Sequence, residues 1–172
     1  IINNKTNLGQ SRSLYIGIMQ SKYETIISLD GDGQNNPNDI PKLLDFYRSM
    51  PNISLVGGLR MNRKDSFTKK ISSKLANKIR RFIFDDDCID TGCSLKVFDK
   101  SVFLSFPYFN GIHRFLPALF QFNDIKVIYK AVSHKKRLHG ISKYGTIDRL
   151  IKTLYDLVFV LKIKKKLRKK ND

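Results

Sequence analysis

In Thr25-Ile-Ile-Ser-Leu-Asp-Gly-Asp-Gly-Gln-Asn-Asn-Pro37 a short β-branched, apolar run leads directly into two aspartates and a glutamine on alternate positions, separated by glycines. Thr, Ile and Leu in succession predict a strand ending near Asp30, and the Asp/Gly/Asn cluster behind it predicts a turn. In open α/β sheets ligands gather just outside the carboxyl ends of strands, so acidic groups at this point are candidate ligand contacts. Asp30, Asp32 and Gln34 offer hard oxygen donors of the kind that hold Mg²⁺ or Mn²⁺ together with substrate phosphates. The glycines permit the sharp turn and the close approach of a diphosphate. The plainer alternative is a strand-to-helix turn with no ligand. An EF-hand fits poorly, because a strand leads in and the twelfth loop position is not Glu.

Working outward, short β-rich runs alternate with amphipathic stretches. Ile53 to Gly57, Ser94 to Phe98 and Ile125 to Val132 read as further strands, and Ile1-Ile2 reads as the end of another. Helices are expected over Leu8–Gln20 with Asn7 as N-cap, over Asn38–Ser49 with Pro41 in its first turn, and over Ser66–Phe84. In the last of these Phe67, Ile71, Leu75, Ile79, Phe82 and Ile83 recur at helical spacing. A final helix begins near Thr146 and continues past Val160 into a basic end. Strands alternating with helices predict an α/β fold, a parallel or mixed sheet covered by helices.

Composition narrows the class. The 172 residues are 41% hydrophobic and 27% charged, which is the balance of a folded domain rather than a disordered chain. Lys and Arg outnumber Asp and Glu by 32 to 15, giving a net charge of +17 and anionic partners: phosphates, nucleic acid or acidic lipid. The segment 162–172 holds seven basic residues and one acidic one, so the preceding 161 residues still carry +11. Two cysteines, Cys88 and Cys93, make neither a disulfide framework nor a zinc site and fit reduced packing residues in the cytosol. No apolar run approaches the roughly 20 residues of a membrane span. The division expected is a catalytic region over 1–161 and a basic tail over 162–172.

Five blocks, in order, then carry a family resemblance. They are Asn7-Leu-Gly-Gln-Ser11; Leu29-Asp-Gly-Asp-Gly-Gln34 with Pro37 and Asp39-Ile-Pro41; Gly57-Gly-Leu-Arg60 with Lys69-Lys-Ile-Ser-Ser73 and Ala76-Asn77; Asp90-Thr-Gly-Cys-Ser-Leu-Lys96; and Arg137-Leu-His-Gly-Ile-Ser-Lys-Tyr144. Together they resemble the family-2 glycosyltransferases, in particular the polyprenyl-phosphate branch that includes dolichol-phosphate mannose synthase. The resemblance implies a GT-A-type, Rossmann-like fold, with a mostly parallel sheet flanked by helices. It implies inverting transfer of a sugar from a nucleotide-sugar donor to a polyprenyl (dolichyl or undecaprenyl) phosphate, with Mg²⁺ or Mn²⁺ as cofactor. The family's opening strands, which hold the nucleotide base, have no counterpart here. At about 30 residues per βα unit, this departure amounts to about 60 residues and leads us to expect a partial domain lacking the first βα units.

By the same resemblance, Asp32 and Gln34 hold the metal and Asp30 supports that site. Arg137, Ser142 and Lys143 face the donor diphosphate, Arg60, Lys69 and Ser73 receive the acceptor phosphate, and Asp90 acts as base or orienter. A phosphate monoester with a second pKa near ~6 is mostly dianionic at pH 7 and needs cations to position it more than it needs a base. Lys69 replaces a frequent Arg, which keeps the charge and loses the bidentate fork. His113 and His134 read as structural histidines, and Phe115, Leu119 and Phe122 as a core stripe. The basic end beyond an apolar helix fits an anionic membrane surface, at about 1 kcal/mol per basic residue, and so a peripheral enzyme at the cytoplasmic face of a membrane. Two other readings compete: a catalytically inactive fragment, and a basic nucleic-acid-binding module. Against the second, no RNA-recognition or zinc-finger motif is present, and no nucleic-acid partner is expected.

Overall fold

The computed structural model describes residues 1–61, 80, 83–84, 88–135 and 146–171. Along the chain these form α1 (Gly9–Met19), β1 (Thr25–Ser28), α2 (Asp39–Ser49), β2 (Ile53–Arg60), β3 (Lys96–Asp99), α3 (Lys100–Ser105), α4 (Ile112–Gln121), β4 (Lys126–Val132) and α5 (Thr146–Asn171). The strands make one mixed sheet in the order β1-β3-β2-β4. β3 lies antiparallel to both β1 and β2, and β4 is parallel to β2. Three strands therefore share a direction and one is reversed, which is the mixed α/β sheet among the alternatives expected.

Alternation along the strands feeds two cores. Ile26, Leu55 and Phe98 pack on one face with α4 and its neighbours, while Val56 and Val97 pack on the other against Leu43 of α2. Ile53 is two residues from Leu55, yet it lies in the α2 core. A register shift between these two residues against β4 accounts for the change of face. Helix α4 is buried through most of its length, with Phe115, Leu116, Leu119 and Phe120 inside. Its polar residues His113, Arg114 and Gln121 stay on the partly exposed side, as in an amphipathic helix laid on the sheet. The Phe115–Leu119–Phe122 stripe is core, as expected.

Helix α1 starts one residue later than expected: Leu8 rather than Asn7 is its N-cap, with no side-chain cap, and Asn7 contributes only a local bond, its Oδ1 accepting from the Gly9 amide at 3.0 Å. Helix α5 runs through the 161/162 boundary without a break. Ile1-Ile2 is not a strand end; both residues are exposed and outside any regular element. The edge of the four-stranded sheet is taken by β1, whose partner β3 is already paired on both sides. Of the expected helix over Ser66–Phe84, all but Arg80, Ile83 and Phe84 lies outside the described residues.

Candidate active site

Since β1, β2 and β4 run the same way, their carboxyl ends reach one edge of the sheet, and the reversed β3 begins there. Lys96, the first residue of β3, pairs with Ser28 and with Gly57, which fixes that alignment. The edge thus collects the loop after β1, Arg60 at the end of β2, the segment before β3 and the residues after β4. It is the place where a ligand site is expected in such a sheet.

The acidic loop is shaped by a positive-φ Gly33 (φ 75), a conformation that a side chain would strain. Asp32 Oδ1 accepts from the Gln34 amide at 3.1 Å, and Asp30 Oδ1 accepts from Gln10 Nε2 at 2.9 Å. These bonds orient the two carboxylates within the loop. The Gln34 side chain donates to the Lys135 carbonyl at 3.4 Å and stands 3.5 Å from His134 Nε2. Lys135 N in turn donates to the Gln34 carbonyl at 2.9 Å, and Asn35 bridges to His134 in antiparallel fashion. Buried Asp39, at the start of α2, accepts from the Ser133 amide at 2.7 Å.

On the other side, Asp90 grips Arg60. Nε donates to Oδ2 at 2.8 Å, Nη2 to Oδ1 at 2.7 Å, and the Arg60 backbone amide to Oδ2 at 3.2 Å. The side chains are 12% and 7% exposed, so this is a bidentate pair largely out of water. Gly92 makes room for it, since a Cβ there would lie 2.6 Å from Arg60 Nη2.

Between the two halves lies Lys96, 3% exposed, its ammonium bonded to the Cys93 carbonyl. Burial holds the Lys96 pKa below its usual value, opposed by the nearby Cys93, Cys88, Asp90 and Asp30. Burial likewise pushes the Cys93 thiol up. Both cysteines are buried free thiols, as the sequence indicated. Tyr129 donates to Cys88 Sγ at 2.7 Å.

Asp30, Asp32, Gln34, Arg60 and Asp90 are thus gathered on one sheet edge. Lys69, Ser73, Arg137, Ser142 and Lys143 lie outside the described residues. Sequence reasoning missed Ser94, Lys96, Asn35 and His134 as contributors. A lysine flanked by Leu95, Val97 and Phe98 was the available signal for Lys96, because a charge inside an apolar strand must find buried partners. Of the described histidines, His113 is structural in its contacts, its Nδ1 lying 2.7 Å from Ser11 Oγ, while His134 belongs to the acidic loop's surroundings.

The donor set suits a hard divalent cation. Among the described residues no three His, Cys, Asp or Glu side chains gather as a closed metal cage. Two carboxylates and an amide on one loop instead fit the open manner of Mg²⁺, which keeps room for phosphate oxygens and water.

Comparison with known proteins agrees with this architecture. Residues 1–105 match the model of Glycosyl transferase family 2. The chain belongs to that family. Among curated relatives of this family-2 chain, dodecaprenyl-phosphate galacturonate synthase of Rhizobium johnstonii is 35% identical over 164 residues, 94% of this chain and 48% of the relative. Undecaprenyl-phosphate 4-deoxy-4-formamido-L-arabinose transferase of Aeromonas hydrophila is 34% identical over 152 residues, 88% of this chain and 46% of the relative. The chain spans about half the length of the curated relatives it matches. Glucosyl-3-phosphoglycerate synthase of Mycobacterium tuberculosis, solved with Mn²⁺ and UDP-glucose, superposes with a TM-score of 0.63 at 16% identity, over 90% of this chain and 56% of that one. Mannosyl-3-phosphoglycerate synthase of Rubrobacter xylanophilus superposes with a TM-score of 0.59 at 11% identity, over 95% of this chain and 52% of that one. The fold of the family-2 chain is of the GT-A type.

Proposed function

We propose that this family-2 chain forms the catalytic body of a glycosyltransferase that moves a sugar from a nucleotide-sugar donor to a polyprenyl phosphate with inversion. The observation that carries the reading is the meeting, on one sheet edge, of the Asp30–Asn35 loop and the buried Arg60–Asp90 pair. The identity to two polyprenyl-phosphate sugar transferases supports the acceptor class. Asp30, Asp32 and Gln34 are the residues that would hold Mg²⁺ or Mn²⁺. Such a cation supplies neutralisation of the charge that grows on the departing nucleoside diphosphate.

The chain's own residues do the rest. In this reading Arg60 receives the acceptor phosphate; the family resemblance assigns Lys69 and Ser73 to the same phosphate and Arg137, Ser142 and Lys143 to the donor diphosphate, and these five lie outside the described residues. Asp90 is an orienter rather than a base, because both of its oxygens are committed to Arg60. It presents the guanidinium in a fixed direction and restrains it from swinging into solvent. A dianionic acceptor phosphate needs no proton removed.

A lipid-linked acceptor is met at a bilayer, and α5 has a face for that. Tyr155, Val158 and Phe159 are 77%, 57% and 42% exposed, one to three helical turns before the exposed Lys162, Lys165 and Lys166. Leu157, Val160 and Ile163 face the core instead. Apolar side chains followed by lysines suit peripheral contact with anionic lipid on the cytoplasmic side. No described helix is long and apolar enough to cross a membrane.

Calorimetric titration of UDP- and GDP-sugars with Mn²⁺ or Mg²⁺ into this chain and into Asp32→Ala tests the donor half. Metal-dependent binding that disappears in the variant is the expected result. A folded chain that binds no nucleotide sugar would overturn donor binding for these 172 residues and favour the inactive reading.

A further inference from the structure

The proposed function leaves Ser94 without a role, yet three hydrogen bonds converge on it. Its hydroxyl oxygen accepts from the Asn35 side-chain amide at 2.7 Å and from the Asp30 backbone amide at 3.1 Å. Its carbonyl accepts from Ser28 Oγ at 2.9 Å. Asp30 and Asn35 are the two ends of the acidic loop, and Asn35 is 6% exposed. A hydroxyl oxygen has two lone pairs, and here each serves one end of the same turn.

We propose that Ser94 is a positioning residue for the acidic loop, fixing both of its ends and so the placement of Asp30 and Asp32 toward the divalent cation. This rests on the metal role assigned to those carboxylates above. Within the loop, the Asp32–Gln34 contact and Gly33 fix the curvature, but neither ties the loop to the sheet. The tie to β3 runs through Ser94. From the far side, the 133–135 segment holds Gln34 and Asn35. Without the Ser94 hydroxyl the Asp30 amide loses its acceptor and Asn35 loses a partner in a buried position. The carboxylates are then free to separate, while the sheet and both cores keep their contacts. Groups that orient metal ligands in this indirect way usually account for a 10- to 100-fold range in metal affinity.

The test uses the full chain with Mn²⁺ alone as probe, in the parent, Ser94→Ala, Ser94→Thr and Asp32→Ala, read by calorimetry. A second readout is amide hydrogen exchange at Asp30, followed by NMR. Ser94→Ala is expected to weaken Mn²⁺ binding by about tenfold, with a melting temperature lowered by a few degrees through the lost Asn35 partner and lost protection at the Asp30 amide. Ser94→Thr, which keeps the hydroxyl, is expected to restore both. Mn²⁺ affinity equal to the parent in Ser94→Ala, while Asp32→Ala has lost it, overturns the proposal. If the parent itself binds no Mn²⁺, the metal role has failed. Exchange at Asp30 then still decides the latch: faster exchange in Ser94→Ala supports it and unchanged exchange removes it. Should Ser94→Ala not fold, Ser94→Cys keeps the volume with a far weaker acceptor and reads the same two quantities.

Discussion

Replacing Asp90 by Ala removes both carboxylate oxygens from Arg60 and with them three hydrogen bonds, at 2.7, 2.8 and 3.2 Å. The guanidinium that remains is 12% exposed, and buried Lys96 also loses the favourable charge of Asp90. Taking one partner from a buried pair costs about 3–5 kcal/mol, mostly through the uncompensated charge. Arg60 ends its strand and can partly turn to water, which places the expected loss near the lower limit, about 3 kcal/mol. For a chain of this length that corresponds to a melting temperature lower by roughly 6–12 °C. The assay is a thermal melt of the parent, Asp90→Ala, Arg60→Met and the double variant at matched pH and salt. Removing both partners should be milder than removing Asp90 alone, since the buried guanidinium is then gone as well. A shift below about 2 °C for Asp90→Ala, or a double variant whose loss is the sum of the singles, would refute a coupled buried pair.

Lys96→Met removes a cation whose folded pKa lies below its unfolded value of 10.5. With that sign, the unfolded chain binds more protons between the two pKa values. The contribution to stability is therefore present above the unfolded pKa and lost as pH falls through the folded one. The parent should gain stability relative to Lys96→Met as pH rises toward 10.5, read from urea midpoints across pH 7 to 10.5. A constant difference between the two would refute it. Gly92→Ala puts a Cβ 2.6 Å from Arg60 Nη2, and because Asp90 and Ser94 flank it, it is expected to weaken acceptor-phosphate and nucleotide-sugar binding together. A loss confined to the acceptor phosphate would mean that the two halves are separately built. Changing Tyr155 and Val158 together to Ser, and leaving Phe159 because its ring packs on Phe109, should reduce cosedimentation with anionic vesicles at unchanged melting temperature. Unchanged cosedimentation would remove this face as the membrane contact.

How much of this was legible follows from which contacts are local. The acidic loop was readable because strand propensity, turn chemistry and oxygen donors coincide within thirteen residues, Thr25 to Pro37. Helix α2 declared itself through Leu43 and the first-turn Pro41. The pairing of β3 was not readable: Lys96–Asp99 is four residues long, and nothing local says that it runs backward between β1 and β2. The Ser94 bonds span 59 and 64 residues and the Arg60–Asp90 bonds 30, so they exist only once the sheet has formed. His134 illustrates the same limit. Its partners in the loop are 100 residues away, and a search for a carboxylate or cysteine near it in sequence could not find them.

The reversed strand explains why one short segment serves both halves of the site. Because β3 is flanked by β1 and β2, the chain that enters it must pass the carboxyl ends of both. Asp90 therefore meets Arg60 at the end of β2, and four residues later Ser94 meets the loop after β1. Lys96 then anchors the passage by holding the Cys93 carbonyl from within the sheet. A displacement of residues 90–94 consequently moves the orienter of the acceptor cation and the anchor of the acidic loop together. Two sites built on separate loops would move independently. Here donor-side and acceptor-side geometry are set by the same five residues, so a substitution between them, such as Gly92→Ala, is the sharpest probe of whether the two substrates are positioned as one unit.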